Sequence, residues 1–192
     1  MGGIDKCLLQ FGATSLLANA IERLRPQVSA LVVNANGDPA RFAGFDLPVI
    51  ADPVPGFAGP LAGILAGMRW AEANAPEART IATVATDTPF FPIDLVARLT
   101  TAAGSPERIA IARTGGRPHF VFGVFPVDYA GALDRHLRTG GSLRVADWLD
   151  DIGFTPVDFD DPGASAVDPF FNVNAPEDLT TAQALLRQFG QG

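Results

Sequence analysis

The stretch Thr80-Ile81-Ala82-Thr83-Val84-Ala85-Thr86-Asp87-Thr88-Pro89 decides the fold. Its apolar and β-branched residues run on without polar alternation, which is typical of a strand covered on both faces, as in the parallel sheet of an α/β domain. Asp87 ends this strand, at the edge where open α/β sheets bind ligands. A carboxylate there needs a metal, a cation or water, because an unpaired buried charge is very costly. Equally, Asp87 could cap the helix that Pro89 and Pro92 announce.

Two more apolar runs end on polar side chains. Residues 30–33 are followed by Asn34, and residues 47–51 are followed by Asp52. Because the carboxyl ends of parallel strands meet at one edge of a sheet, Asn34, Asp52 and Asp87 are expected to converge. Amides at a strand end can bond a ribose or a base edge, although Asn34 and the residues after it also suit a simple turn.

Helical patterns alternate with these strands. Thr14 or Ser15 is expected to cap a first helix, and Gly59 to Gly63 lead into a second. Glycines at a helix start leave backbone N–H groups open to an anion, although close packing of helix on sheet explains them as well. The alternation of strand and helix is the βαβ signature of an α/β domain.

Beyond Ser105 the pattern changes to a hairpin. Strands at 108–112 and 120–125 are joined by residues 113–118, and His119 opens the second strand. We interpret His119 as a packed or hydrogen-bonded structural histidine in preference to a ligand.

The segment 170–174 predicts a short strand that carries two amides. Asn174 is followed by Pro176 and two acidic residues, which predicts a helix start with Asn174 as its cap. Asn172 lies two residues earlier and has less structural reason to be an amide.

Composition limits the classes of protein to which the chain can belong. Its 192 residues suit one domain, and a hydrophobic fraction of 47% is ample for a core. A net charge of −7 argues against nucleic acid or a membrane surface as a partner, since both need clustered Lys and Arg. The lone Cys7 excludes an internal disulfide and a cysteine cluster for zinc. With no signal-peptide pattern and no apolar stretch long enough to span a membrane, a cytoplasmic location is expected.

The first residues, Met1-Gly2-Gly3-Ile4-Asp5-Lys6, form a glycine-bearing loop. Gly2 and Gly3 would let the backbone approach phosphate oxygens closely, with Lys6 as the cation. A solvated tail is the more common explanation of so short a motif.

Five motifs in this order resemble those of the molybdenum cofactor guanylyltransferase family. They are Met1 to Lys6, Val33-Asn34-Ala35-Asn36, Gly59-Pro60-Leu61-Ala62-Gly63, Asp87-Thr88-Pro89-Phe90, and Phe171-Asn172-Val173-Asn174-Ala175-Pro176-Glu177-Asp178. The resemblance implies an α/β class, three-layer Rossmann-like nucleotidyltransferase fold with a mostly parallel sheet and a small mixed-strand acceptor region. It implies a single domain over 1–192, with a nucleotide-binding half at about 1–104 and an acceptor, or pterin, half at about 105–192.

The resemblance also implies an activity. The family transfers GMP from GTP to molybdenum-molybdopterin, uses Mg²⁺ and releases pyrophosphate. GTP and molybdenum-molybdopterin are therefore the expected small-molecule partners of a monomeric protein. Molybdopterin-synthesis proteins and molybdoenzyme chaperones are the candidate protein partners.

Carried over residue by residue, the resemblance assigns roles to the polar positions. Lys6 and Asp87 are the candidate catalytic residues, with Asp87 as the Mg²⁺ ligand, and Asn172 and Asn174 lie on the pterin side. The candidate nucleotide-binding residues are Gly2, Gly3, Lys6, Asn34, Asp52, Gly59 and Asp87. A carboxylate such as Asp52 can accept from both the ring N–H and the exocyclic amine of guanine, which adenine does not offer in that arrangement.

One departure from the family pattern is serious. In the family, a first strand that is ordinarily central in the sheet leads into the glycine-rich loop, whereas this sequence begins at a methionine inside that loop. Either the true start lies upstream, which the intact Lys6, Asp52 and Asp87 favour, or the chain is a shortened form with impaired folding or catalysis. The alternatives to guanylyl transfer are a related nucleotidyltransferase that uses CTP or a sugar phosphate, and a non-catalytic cofactor-binding domain.

Overall fold

The computed structural model describes residues 5–53, 59–160 and 167–189. The strands are β1 (Gln10–Phe11), β2 (Thr14–Ser15), β3 (Val33–Asn34), β4 (Val49–Ile50), β5 (Thr80–Thr83), β6 (Ala110–Thr114), β7 (Arg117–Pro126) and β8 (Thr155–Asp158). The α-helices are α1 (Leu16–Leu24), α2 (Pro60–Asn74), α3 (Leu95–Ala103), α4 (Ala130–Arg138), α5 (Val145–Ile152) and α6 (Pro176–Phe189). Short 3₁₀ turns occur at Lys6–Leu8, Arg25–Gln27, Pro39–Phe45 and Val127–Tyr129. None of the described helices is long and apolar enough to span a membrane.

The main sheet has four strands in the order β5-β7-β6-β8. The β5–β7 and β6–β7 pairs are antiparallel, and the β6–β8 pair is parallel. A separate parallel pair, β3–β4, sets Val33 opposite Val49 and Asn34 opposite Ile50. The α/β class is therefore confirmed, with parallel and antiparallel strands mixed in one sheet. Because β5 pairs with β7, the sheet also joins the two halves expected on either side of residue 104.

Helices cover both faces of the main sheet and make the fold three-layered. Strand β6 shows the division, since successive side chains point to opposite faces. Ile111, like Ile109 just before the strand, packs with residues of α2, α4 and α5, whereas Ala110 and Ala112 pack with residues of α1 and α3. The three-layer arrangement that the resemblance implies is present.

A cavity of about 480 Å³ lies between the β3–β4 pair and β5. It is lined along one side by residues 28–34 and along the other by residues 80–87, and residues of α1 and α2 complete its walls. Within the described residues, β3 pairs with β4 and β5 pairs with β7, so the opposite edge of each strand faces this cavity. Most of the lining is apolar, and it includes Asn34 at the end of β3 and Asp87 in the segment that follows β5. Because β5 ends at Thr83, the prediction that Asp87 ends this strand is wrong.

The helix ends test the predicted caps. Ser15 Oγ accepts a hydrogen bond from Ala18 N at 3.1 Å, which confirms Ser15 as the cap of α1. Asp94, not Asp87, is the N-cap residue of α3, so the interpretation of Asp87 as a helix cap is wrong. At α6 the carboxylate of Asp178 accepts from the backbone N–H groups of Asn174 at 2.9 Å and Ala175 at 2.8 Å. Asp178, in the first turn of α6, thus bonds back to the N–H groups that precede the helix, which differs from the role predicted for Asn174, since a cap side chain accepts from N–H groups inside the helix. The short strand predicted at 170–174 does not form.

Candidate active site

Asp52 is held by two asparagine side chains. Asn34 Nδ2 donates to Asp52 Oδ1 at 3.1 Å and to the carbonyl of Ile50 at 3.2 Å. Asn36 Nδ2 donates to Asp52 Oδ2 at 2.7 Å, and Asn36 Oδ1 accepts from Asp52 N at 2.9 Å. The parallel register of β3 and β4 brings these side chains to the same edge. A carboxylate offers about four acceptor positions, so Asp52 can still accept from two N–H groups of a ligand.

Helix α2 approaches Asn34 closely at Gly63. A Cβ atom built on Gly63 would lie 2.5 Å from Asn34 Oδ1, so a side chain there would displace the amide. In the sequence, Gly63 stands out only as part of a motif, and no role was predicted for it. A glycine inside an apolar helix costs about 1 kcal/mol relative to alanine, and that cost is the signal that could have identified it.

Gly59 is the N-cap residue of α2 and has no side chain with which to bond the first turn. The first-turn N–H groups of a helix carry partial positive charge and are suited to an anion. Because α2 touches Asn34 at Gly63, this helix start lies on the same side of the molecule as Asp52. Residues 54–58, which precede it, are outside the described part of the chain.

Asp87 is half-buried at the end of the segment that follows β5. Burial raises the pKa of its carboxyl group, and the backbone hydrogen bond, the positive charge of Lys6 and the Thr88 hydroxyl oppose that shift. The carbonyl of Asp87 accepts from Val173 N at 2.8 Å. The fully buried Thr88 donates its hydroxyl proton to Asn172 Oδ1, which places Asn172 beside Asp87.

The turn that carries Lys6 is attached to the Asp52 cluster by Arg41. The guanidinium of Arg41 forms an ion pair with Asp5 at 2.6 Å and donates to the carbonyl of Asn36. Asn36 in turn holds Asp52. Sequence reasoning missed Arg41, which lies in a 3₁₀ turn without a recognisable motif.

Cys7, next to Lys6, does not suit nucleophilic chemistry. Burial raises the pKa of its thiol, and the negative charge of Asp5 raises it further. The reactive form of cysteine is the thiolate, which is scarce at neutral pH when the thiol pKa is raised. Cys7 instead packs as a small residue against the cluster of Leu17, Val33 and Phe42.

Four of the sequence-predicted residues come together along one edge, which we call the carboxyl rim and define as Lys6, Asn34, Asp52 and Asp87. Asn34 and Asp87 border the same cavity, and the charge of Lys6 acts on Asp87. Asn172 adjoins the carboxyl rim through Thr88.

The remaining candidates are less closely tied to the carboxyl rim. Asn174 is exposed, two residues beyond Asn172. Gly2 and Gly3 lie outside the described residues. The assignment of a phosphate-binding role to these two glycines stays a prediction.

The oxygen atoms near Asp87 suit a divalent cation that arrives with a substrate. In the part of the chain that the structure describes, no group of three or more His, Cys, Asp or Glu side chains could surround a metal ion. Mg²⁺ is commonly held by one or two carboxylates, with waters and substrate phosphates completing its shell. Asp87 supplies the carboxylate, with the hydroxyl of Thr88 close to it, 3.5 Å from Oδ1. The residues present therefore fit a metal–nucleotide complex better than a metal bound alone.

His119, in the second half, has a structural environment. Its ring stacks on Phe170 with centroids 4.4 Å apart, and its Nε2 lies 2.7 Å from Thr114 Oγ1. Burial lowers the pKa of His119, which favours the neutral form of the ring. Nearby, Arg113 and Asp158 form two hydrogen bonds of 2.6 Å. The side chains of Arg113, Thr114 and His119 thus bond within the protein.

Comparison with known proteins shows which family this chain is similar to. A family model described as a MobA-like NTP transferase domain matches residues 1–152. The chain is 46% identical over 188 residues to the molybdenum cofactor guanylyltransferase of Mesorhizobium japonicum, with 97% of this chain and 90% of that protein covered.

Solved structures share the fold at lower sequence identity. Molybdopterin-guanine dinucleotide biosynthesis protein A from Archaeoglobus fulgidus has a TM-score of 0.75 at 19% identity, over 97% of this chain and 93% of that one. Rv0371c from Mycobacterium tuberculosis, solved in complex with manganese, has a TM-score of 0.64 at 20% identity, over 95% and 93%.

Proposed function

The chain belongs to the molybdenum cofactor guanylyltransferase family, and we propose that it transfers GMP from GTP to molybdenum-molybdopterin with release of pyrophosphate. The observation that carries the proposal is the convergence of Lys6, Asp52 and Asp87 from three separate segments. One end of the carboxyl rim offers hydrogen-bond acceptors, and the other offers a cation beside a carboxylate. A guanine base and a triphosphate need these two kinds of group.

Asp52 is the proposed guanine-recognition residue. Guanine presents a ring N–H and an exocyclic amine on one edge, and the two free acceptor positions of the Asp52 carboxylate can take both. Asn34 and Asn36 already hold each carboxylate oxygen, so Asp52 is oriented before the nucleotide binds. Orientation in advance reduces the entropy lost on binding.

Lys6 and Asp87 are proposed to act on the phosphates. In the reaction, a phosphate oxygen of the acceptor forms a bond to the α-phosphorus of GTP as the bond to pyrophosphate breaks. Lys6 places a positive charge next to Asp87, where negative charge builds up on the phosphate oxygens. When bound, a divalent cation, which we propose to be Mg²⁺ held by Asp87, adds positive charge to these oxygens. No covalent enzyme intermediate is required, which agrees with the raised pKa of the Cys7 thiol.

Asn172 and Asn174 are proposed to contact the acceptor. Asn172 adjoins Asp87 through Thr88, so it lies at the end of the carboxyl rim where the two substrates must meet. We further propose that the protein is a monomer and that it acts in the cytoplasm. Molybdopterin-synthesis proteins and molybdoenzyme chaperones are its proposed protein partners.

The nucleotide is identified by supplying each NTP with Mg²⁺ and molybdenum-molybdopterin and measuring pyrophosphate release. We expect release with GTP, and with ITP at a rate at least about tenfold lower, because ITP lacks the exocyclic amine that Asp52 would accept. Release with CTP but not GTP would reject the proposal in favour of a cytidylyltransferase. Pterin binding without any turnover would indicate a non-catalytic cofactor-binding domain.

A further inference from the structure

Three side chains form hydrogen bonds to the loop that follows Asp87. They lie on one line along α1 and the turn after it. They are Asn19, Arg23 and Gln27, spaced four residues apart, and we call them the α1 stripe. Every carbonyl of residues 89–92 accepts a hydrogen bond from this stripe. The donors are Asn19 Nδ2 to Pro89 at 2.9 Å, Arg23 Nη2 to Phe90 at 3.3 Å, Arg23 Nε to Phe91 at 2.7 Å, and Gln27 Nε2 to Pro92 at 3.2 Å.

The loop needs donors from elsewhere because of its own sequence. Pro89 and Pro92 have no N–H, and the segment lies outside the helices and strands. Pro89 and Phe91 are buried, so their carbonyls must find partners within the protein. The α1 stripe supplies partners to four consecutive carbonyls.

Arg23 is the central member of the stripe and is half-buried. Burial lowers the pKa of its guanidinium group, and its Cζ lies 5.6 Å from the centroid of the Phe91 ring. Among the residues that the structure describes, no carboxylate lies within ion-pair distance of Arg23. Its polar contacts are therefore made with the carbonyls of the loop, where its fork of donors can bond two at once.

Helix α1 is also attached to the segment that carries Lys6. The backbone N–H of Leu16, the first residue of α1, donates to the carbonyl of Leu9 at 3.0 Å, and Leu9 N donates to the carbonyl of Lys6 at 3.1 Å. One helix thus holds the Lys6 segment at its start and the loop after Asp87 along its length. Helix α1 and the turn after it therefore link the segment that carries Lys6 to the loop that follows Asp87.

We infer that Arg23, with Asn19 and Gln27, is a positioning residue that sets the place of Asp87 relative to Lys6 and so couples metal binding to GTP binding. The inference rests on the proposed function, since it needs Asp87 to hold the metal that arrives with GTP. The α1 stripe touches neither substrate and acts through the backbone of residues 88–92.

Arg98 provides a matched control for Arg23. It lies on α3, donates through Nη2 to the carbonyl of Asp158 at 2.6 Å, and places its Cζ 3.9 Å from the centroid of the Phe159 ring. The chemistry is the same as that of Arg23, but the anchored segment is the end of β8. Loss of Arg98 should therefore affect stability without affecting the metal site.

The test measures the Kd for GTP by isothermal titration calorimetry without acceptor, at low and at saturating Mg²⁺, together with the unfolding temperature. In the unsubstituted protein, Mg²⁺ should tighten GTP binding. Arg23→Met should reduce that tightening about tenfold, Arg23→Lys should restore part of it, and Arg98→Met should leave it unchanged. Asn19→Ala removes one hydrogen bond and should reduce the tightening about twofold to threefold, which gives a result even where Arg23→Met does not fold.

Different results would overturn different statements. Unchanged Mg²⁺ tightening in Arg23→Met and Asn19→Ala, or an equal loss in Arg98→Met, would show that the α1 stripe is only a packing contact. Asp87→Asn should abolish the tightening. If it does not, the metal lies elsewhere, and the proposed function fails at Asp87 whatever the Arg23 variants show.

Discussion

The two halves of the molecule use their strands and polar groups differently. In the first half, residues 5–104, the strands β3, β4 and β5 have two to four residues, and the side chains at their carboxyl ends border an open cavity. In the second half, β6 and β7 have five and ten residues and pair with each other, and Arg113 and Asp158 satisfy each other. The comparison shows that the second half supplies the longest paired strands of the main sheet, whereas the first half presents the candidate ligand-binding groups at short strands beside a cavity.

The largest expected effect concerns Asp87 in the first half. Asp87→Asn should lower the rate of pyrophosphate release with GTP, Mg²⁺ and acceptor by about 10³-fold, because it removes the proposed metal ligand. Asp94→Asn, an exposed acid at the start of α3, is the control and should leave the rate unchanged. Near-normal activity in Asp87→Asn would show that the metal does not bind in this half of the molecule.

The same substitution should not destabilise the ligand-free fold. Because burial raises the pKa of Asp87, the folded state binds this proton more tightly than the unfolded chain does. The contribution of Asp87 to the free energy of unfolding therefore falls as the pH rises from the pKa of Asp87 in the unfolded chain through its higher pKa in the folded protein. Relative to the unsubstituted protein, Asp87→Asn should have an equal or higher unfolding temperature at neutral pH, and the difference should vanish in acid. A lower unfolding temperature at pH 7 would contradict this assignment.

Core substitutions compare the stability of the two halves directly. Ile111 in β6 is fully buried, whereas Ile81 in β5 is half-buried and borders the cavity. We expect Ile111→Ala to cost about 3–4 kcal/mol and Ile81→Ala about 1–2 kcal/mol in urea unfolding, because less packing is lost at a site already next to a void. Equal losses would mean that the two halves are equally well packed.

Two helical glycines, one in each half, test the same difference between the halves, with smaller expected effects. A Cβ atom added to Gly131 in α4 would meet no neighbouring atom within 4 Å, so Gly131→Ala should stabilise the protein by about 0.5–1 kcal/mol. Gly63→Ala gains the same helix propensity but pushes the amide of Asn34 away from Asp52. Its KM for GTP should therefore rise about fivefold. An unchanged KM for GTP in Gly63→Ala would show that the position of Asn34 does not affect GTP binding.

The smallest effect is expected for the surface pair of the second half. Arg113 lowers the pKa of Asp158 by hydrogen bonding, so the pair stabilises the folded state above the unfolded pKa of Asp158, and this is lost as pH falls through the folded pKa. Asp158 is exposed, and exposed ion pairs contribute little. Asp158→Asn should shift the unfolding temperature only slightly at pH 7 and not at all in acid, with activity unchanged. A large loss of activity would assign this hairpin a role in the reaction.

Local features follow from the sequence where one residue type suits one task. Ser15 is expected as a cap and is one, and His119 is expected to be structural and stacks on Phe170. At α6 the sequence predicts Asn174 as the cap, and the structure adds a contact that the sequence did not indicate, in which Asp178 accepts from the backbone N–H groups of Asn174 and Ala175.

Contacts between distant segments could not be predicted in the same way. The ion pair of Asp5 with Arg41 and the close approach of Gly63 to Asn34 depend on how a turn and a helix pack, and sequence spacing carries no record of either. The α1 stripe is an intermediate case. Its four-residue spacing is visible in the sequence, but its partners, the carbonyls of residues 89–92, are not.

By itself, the sequence determined the apolar segments that supply the strands β3 to β8, because hydrophobic runs are local properties. It did not determine where the strands end, since β5 stops at Thr83 before Asp87, and the strand predicted at 170–174 does not form. It also determined the family, through five motifs in order. Only the tertiary structure decided that Lys6, Asn34, Asp52 and Asp87 share one rim, that the sheet is mixed, and that a cavity separates β3 from β5. Those features depend on the pairing of strands far apart in the chain, and pairing is set by packing, which no single segment contains.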